Sequence, residues 1–532
     1  MNASLYRLIF SKVLGMYVPV SEIKTAGRRK TARARKGALR PARLSLLSSA
    51  LCLAFGLQGQ SSAQIVPAAG AATTTHHSAS GVPVVNIAAP DAHGLSHNRF
   101  QQFNTAMPGA VFNNSTADGR SQVAGQISRN PNLGGALAST ILSEVTGTGP
   151  STLQGTLEVF GGKASLIIAN PNGISVNGLT TLNTNSLTLS TGVPNARDGV
   201  VTLDVNRGNI TVGSGGVNTD GLSTFDLVAK MIRIDGAVGD GTGATTDIKA
   251  VAGSGSFDTS TRDLSSAVRR VRRAADAHTG YAIDGSAAGA MHGRAISLIS
   301  TDAGLGVRQP GMLVSPGDIM INARGNIEVG SAKARQLDLH SRADVKAAMV
   351  QTAGKLSAIA GGNLAVDALV TGNGARLTAE SGDLRMGPDG NREVDSSELT
   401  GELDISARQG SVILSRGFKT DALKVRAKNW VLRNAVAEVT GKDGVANSVD
   451  IDVSGRIVLA GSLHGADDAG AVLTDSLVKV IEGRPVVQKA STGETLHGYV
   501  VGSNVGIRAL KGDVLLKGGT LENQNSVIAA LA

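Results

Sequence analysis

The stretch Gly325-Asn326-Ile327-Glu328-Val329-Gly330 reads glycine, polar residue, apolar, variable, apolar, and the chain repeats this pattern. GNITVG (208–213), GNLAV (362–366), GDLRMG (382–387), GSVIL (410–414), GRIVLA (455–460) and GDVLLK (512–517) share it. Alternation of period two buries one face of a short strand, and the glycine permits the turn leading into it. Successive copies from 325 to 455 are 37, 20, 28 and 45 residues apart. Those irregular spacings suit one or two coils of about 20 residues between matches.

Composition points the same way. In 532 residues there are 68 Gly and only 14 Pro; aromatics are 3% and hydrophobics 41%. A chain of this length could hold several domains, but repetition lets one architecture grow. Short strands with small and β-branched inward residues predict an all-β fold, a right-handed parallel β-helix with extra-helical hairpins or loops. An array of β-sandwiches would call for an aromatic anchor in each domain, whereas the chain has one tryptophan, Trp430, and four tyrosines. A coil stack also needs its ends covered. Residues 64–100 are expected to form the N-terminal cap, while the apolar run at 525–532 shows no evident cap.

The net charge of +9 is unevenly distributed. Residues 1–63 hold eleven Lys and Arg against the single acid Glu22, which leaves the remainder at about −1. The basic character therefore belongs to a leader, and a nucleic-acid partner is not supported. Within it, Leu44–Leu57 is an apolar run behind dense positive charge, followed by Ser61-Ser62-Ala63. That order predicts a signal peptide cut between Ala63 and Gln64, and the run is too short for a membrane span of about 20 residues. The lone cysteine, Cys52, lies in the leader, so a processed chain has no disulfide, thiolate metal site or thiol nucleophile. His93 and His97 are spaced as a helical metal pair, but Gly94 and Pro90 argue against a helix there, and neither a metal nor a cofactor is expected. Hydrolase, metalloprotease and nucleotide-binding motifs are absent, and Asp204, Asp235 and Asp404 lie far apart, so the expectation is a protein that is not an enzyme.

Two regions carry a family resemblance. Residues 1–22, with Asn2, Leu5-Tyr6-Arg7, Phe10 and Val18-Pro19-Val20-Ser21-Glu22, resemble the extended signal-peptide region of very large autotransporters and two-partner-secretion proteins. Residues 82–190 contain Asn98-Arg99-Phe100-Gln101-Gln102-Phe103-Asn104, Pro108–Ser115, Asn130-Pro131-Asn132-Leu133 and Asn170-Pro171-Asn172-Gly173-Ile174. In that order these blocks resemble the secretion (TPS, haemagglutination-activity) domain of filamentous-haemagglutinin-type exoproteins. Asn-Pro-Asn-Gly is also a turn by its own chemistry, since Pro171 presets φ while Asn172 and Gly173 tolerate positive φ.

The resemblance implies residues 1–63 as extended signal peptide, 64–310 as secretion domain with its cap, and 311–532 as a β-helical shaft, either truncated or internally deleted relative to longer relatives or that of an intact short paralogue. It implies a Sec translocase, a signal peptidase, and an outer-membrane two-partner-secretion pore with periplasmic POTRA-type domains. That pore would recognise Asn98, Phe100–Asn104, Asn130–Leu133 and Asn170–Ile174, unless these turns only shape the solenoid. It further implies an adhesin at the surface of a Gram-negative bacterium or released from it. A cytolysin or contact-dependent inhibition toxin is the alternative; a haem-capturing exoprotein fits less well without cysteines. Finally, Arg269, Arg270, Arg272 and Arg273, with Arg262 nearby, form the one basic cluster outside the leader. They read either as a glycosaminoglycan contact or as a solvated loop. Lys511-Gly512-Asp513 has the look of an integrin tripeptide but sits where a strand should start.

Overall fold

The computed structural model describes residues 6–11, 16–21, 64–241, 245–265, 280–387, 397–441, 447–461, 463–465, 477–481, 484–488, 499–501, 506–524 and 526–530. The chain divides into two units, 1–60 and 61–532. In the first, β1 (Tyr6–Ser11) and β2 (Met16–Ser21) form an antiparallel pair. The apolar run Leu44–Leu57, Cys52 and Ala63 lie outside the described residues.

Every described element of the second unit is a strand, and most belong to one large, mostly parallel sheet. The fold is the parallel β-helix expected from the sequence. Its N-terminal part comprises β3 (Gln64–Pro67), β4 (Thr74–His77), β5 (Pro83–Asn86), β6 (Leu95–Asn104), β7 (Gly109–Asn114), β8 (Gly119–Ser121), β9 (Gly125–Ile127), β10 (Thr140–Val145), β11 (Ser151–Gly161), β12 (Ala164–Ala169), β13 (Ile174–Leu182) and β14 (Thr184–Ser190). Each coil contributes up to three short strands, so the stack has faces A, B and C. β6, β10, β12 and β14 begin face A, and β11 and β13 each bend from face B into face C. The cap is antiparallel: β3 pairs with β6, and β4 with β5.

Face A shows how alternation becomes a core. An inward row runs in register from Ile141 through Leu166, Leu187, Phe225 and Ile248, and on to Leu403, Leu423 and Val449. All of these are buried in one continuous cluster. Regular coils are short: Ile319 pairs with Leu337 and Leu337 with Leu356, which sets about 18–19 residues per turn. Aromatic rings, scarce overall, close the N-terminal end, where Phe100 meets Phe103 edge-on at 5.0 Å and Phe103 stacks on Phe112 at 5.8 Å.

The repeat's polar residue has a definite task. At the corner into face B, Asn326 Oδ1 accepts the Asp344 N–H at 3.2 Å and Asp344 Oδ1 accepts that of Asn363 at 2.7 Å. Asn363 Oδ1 then accepts from Asp383 at 2.9 Å, and Asp383 Oδ1 from Ser411 at 2.7 Å. Each coil thus satisfies a backbone donor of the next. The repeat's glycine differs from expectation at several copies. Gly208 does adopt φ +82°, but Gly325 does not enter the left-handed region. There a Cβ would stand 2.5 Å from the Gly304 carbonyl, so close stacking of coils, not the turn, requires glycine.

Charges stack in alternation on face B. Arg233, Asp284, Arg308, Glu328 and Lys346 occupy one in-register row. Arg308 pairs with Asp284 at 2.7 Å and lies 5.0 Å from the Tyr281 ring centre. Burial, followed by the Glu328 carboxylate that accepts its hydrogen bond, pushes the Tyr281 phenol up to about 12. Opposite charges directly across a ladder favour one register over its neighbours.

Two extra-helical elements lie on the stack. The hairpin β8–β9 covers Val82, Val84 and Val111. A four-stranded antiparallel sheet combines β15 (Val193–Arg197) and β16 (Val200–Val205) with Gly255–Asp258 and Asp263–Ser265. Its Val201, Leu203, Val205 and Phe257 bury the outward-facing Leu142, Ile167, Val228 and Val251 of face A in a second core.

Candidate functional site

The sequence-predicted residues cluster in the first coils and the cap, and most of them point inward. Asn98 is fully buried in β6. Its Oδ1 accepts from the Thr73 hydroxyl at 2.8 Å and the Ala88 N–H at 2.9 Å, and its Nδ2 donates to Ser96 O at 3.0 Å. Phe100 and Phe103 form the aromatic end of the core, while Gln101 is exposed and Gln102 half-buried between them. Asn104 Oδ1 accepts the Thr152 N–H at 2.8 Å, tying β6 to β11.

The two Asn-Pro-Asn motifs are built alike. Asn130, 3% exposed, accepts the Asn132 N–H at 2.9 Å and donates to Ile87 O and Asn113 O. Asn170, fully buried, accepts the Asn172 N–H at 3.0 Å and donates to Gly149 O and Ser151 Oγ. Both are Asx turns whose first side chain is spent on carbonyls and a hydroxyl of neighbouring segments. Asn172 donates to Gly147 O at 2.7 Å, and Asn132 to Asn86 O at 3.3 Å. Gly173 has φ +118°, where L side chains are strained, and Leu133 and Ile174 are buried. Pro131 stays exposed and Pro171 half-buried.

Two residues not singled out as site residues by the sequence, Asn114 of the Pro108–Ser115 block and Glu158, also hold the early coils. Buried Asn114 donates to Ala138 O and Gly162 O, both at 2.8 Å, and accepts the Ala138 N–H at 2.9 Å. Glu158, 4% exposed, accepts from the Ser121 hydroxyl and the N–H groups of Gln122 and Val123, anchoring the β8–β9 hairpin. A lone acid inside the apolar alternation Leu157-Glu158-Val159-Phe160 was the available signal.

The basic cluster Arg269, Arg270, Arg272 and Arg273 lies outside the described residues. Arg262 does not add to it as a free cation. It adopts φ +58° and reaches Asp226 Oδ1 at 2.6 Å beneath the four-stranded sheet. Asp226 is 2% exposed; burial raises its carboxyl above the usual range, and Arg262 opposes that shift. His97 pairs with Glu144 at 2.8 Å. Asp204 lies on the extra-helical sheet, Asp235 beside Arg233, and Asp404 beside Arg376, in three separate places.

The fold is thus a capped β-helical solenoid module whose first strand opens at Gln64 and whose early coils are held by buried Asx turns. The family described as TPS secretion domain matches residues 63–329, and the extended signal peptide of type V secretion systems matches residues 1–52. The chain belongs to the two-partner-secretion exoprotein family and is a secreted protein that passes through the periplasm. It is 48% identical over 366 residues to filamentous hemagglutinin of Bordetella pertussis, covering 67% of this chain and 10% of that one. It is also 32% identical over 338 residues to Toxin CdiA of Yersinia pestis, covering 61% and 10%. Among solved structures, a filamentous hemagglutinin secretion domain aligns with TM-score 0.50 and 48% identity, covering 58% of this chain and 98% of that one. The chain spans about a tenth of the length of the curated relatives it matches. One further relative, from Histophilus somni, is named as an adenylyltransferase and cysteine protease, again with 10% of its length matched.

Proposed function

We propose that this chain is a secreted adhesin of the filamentous haemagglutinin type and is not itself an enzyme. Residues 1–63 act as the extended signal peptide, residues 64–310 as the module engaged by a dedicated outer-membrane pore, and residues 311–532 as an adhesive β-helical shaft facing host cells or other bacteria. After Sec transport, signal peptidase cuts between Ala63 and Gln64, and POTRA-type domains of the pore take up the chain. The observation that carries this reading is the ordered set of motifs in a capped β-helix that begins at Gln64, joined to 48% identity with a named haemagglutinin. Because a chain threading a pore is extended, Asn98, Phe100, Phe103, Asn130 and Asn170 are legible to the pore before they are buried. Once folded they hold the first coils, and only Gln101, Pro131 and their partly exposed neighbours stay on the surface. The cluster Arg269, Arg270, Arg272 and Arg273 is assigned to anionic host glycans.

A toxin is the second reading, favoured by the relatives named CdiA. Secretion of the chain from a Gram-negative host, with and without the co-expressed transporter, tests the first step. Processed, β-rich protein in the supernatant only with the transporter is expected, and retention in the periplasm with the transporter present overturns the proposal. Lysis of red cells by the supernatant, without binding to epithelial cells, would favour the toxin.

A further inference from the structure

We propose that the open part of face A is a groove for an extended, uncharged polysaccharide, an inference that deepens the adhesin reading and takes its biological setting from it. A cavity of about 680 Å³ lies along this face, from the coil of Gln336 to that of Ser448. Asp338, Ser357, Arg376, Asp404 and Lys424 line it as one outward row, one side chain per coil. Neighbouring strands are about 4.7–4.9 Å apart, close to the advance of one ring in an extended pyranose chain, so each coil can address one sugar.

The corner beside this row is low. Gly374 and Gly401 adopt φ +81° and +94°, and a Cβ on Gly374 would stand 2.6 Å from the Glu402 carbonyl. Side chains are therefore excluded at these two positions, and the groove stays open there.

The chemistry of the lining selects the ligand. Four carboxylates, Asp338, Glu402, Asp404 and Asp421, face three cations, Lys355, Arg376 and Lys424. Arg376 pairs with Asp404 at 3.2 Å and Lys424 with Glu402 at 2.9 Å, while Asp421 accepts the Gly401 N–H and the Thr440 hydroxyl. With charges so nearly balanced, an anionic glycan gains no attractive field here. Sugar hydroxyls gain, because they donate to the fixed carboxylates and accept from the guanidinium and ammonium groups. Among the described residues no aromatic ring lines the cavity, so the contacts are polar and accumulate along a chain instead of gripping one sugar.

The test is affinity electrophoresis of the whole processed, secreted chain through gels containing dextran, galactomannan, mixed-linkage β-glucan or heparin. Wild type should be retarded in at least one neutral gel. Asp338→Ala and Ser357→Trp should each weaken that retardation at least tenfold in apparent Kd, with unchanged heparin mobility and thermal denaturation. No retardation in any neutral gel, or equal retardation of wild type and both variants, overturns the groove. Cell adhesion is scored separately on the same samples. Adhesion without any neutral-gel effect sinks the groove and spares the adhesin reading, whereas a groove effect without adhesion does the reverse.

Discussion

One outward row of face A passes through two different worlds. Beyond His97 of β6 it runs through Leu142, Ile167, Thr188, Asp226 and Lys249, and after Ser297 and Met320 continues as Asp338, Ser357, Arg376, Asp404 and Lys424. The early positions lie under the four-stranded sheet and the later ones face water. Both stretches contain an Arg–Asp pair, Arg262–Asp226 and Arg376–Asp404, but the aspartate side chains are 3% and 30% exposed. The same backbone row thus supplies either a second core or a polar surface. The outward side chains and the sheet inserted over them make the difference.

The largest effect should come from the covered pair. Arg262→Ala leaves a buried carboxylate without its partner and should cost about 3–5 kcal/mol, read as lost amide protection across the four-stranded sheet in hydrogen exchange. Adding Asp226→Leu should restore most of that protection; if it does not, the pair is not what holds the sheet down. Next, Asn170→Ala removes two donated bonds and an Asx acceptor from a buried turn, and should cost about 1–3 kcal/mol by urea titration.

A smaller, pH-dependent effect sharpens the contrast. The folded Asp226 carboxyl titrates above its ordinary value of 3.8, so its contribution to stability is fully present below that value and lost as pH rises through the folded one. The stability of wild type relative to Asp226→Asn should therefore increase as pH falls from 7 to 3; a flat difference would mean that burial does not govern this group. Asp258, held low by its bonds to Ser260, behaves oppositely, losing its contribution as pH falls. The smallest change belongs to the open stretch: Arg376→Ala should cost about 1 kcal/mol or less by urea titration, and a loss near that of Arg262→Ala would erase the distinction drawn between the two pairs.

Much of the fold was legible because alternation of period two is a local signal. Ile327 and Val329, or Leu364 and Val366, announce their inward direction whatever coil lies next to them. The motif segments were legible as blocks, but their division into inward and outward residues was not. Asn130 and Asn170 resemble exposed turn residues in sequence, yet their acceptors come from segments 17 to 43 residues away and from Gly149, 21 residues away. The roles of Glu158 and Asn114 were not legible for the same reason. Their partners are brought near only by coiling.

Local chemistry in the chain itself therefore determined the strands, the presence of a leader, the cap region and the family. Register, burial and coverage depended on the tertiary structure. Asp204, Asp226 and Asp404 look alike in sequence, but the insertions at 193–205 and 255–265 pair with each other and cover only the early coils. Which carboxylate is buried, paired or open to a ligand is set by such contacts between distant segments, and the energy of a charge depends on the water those segments exclude.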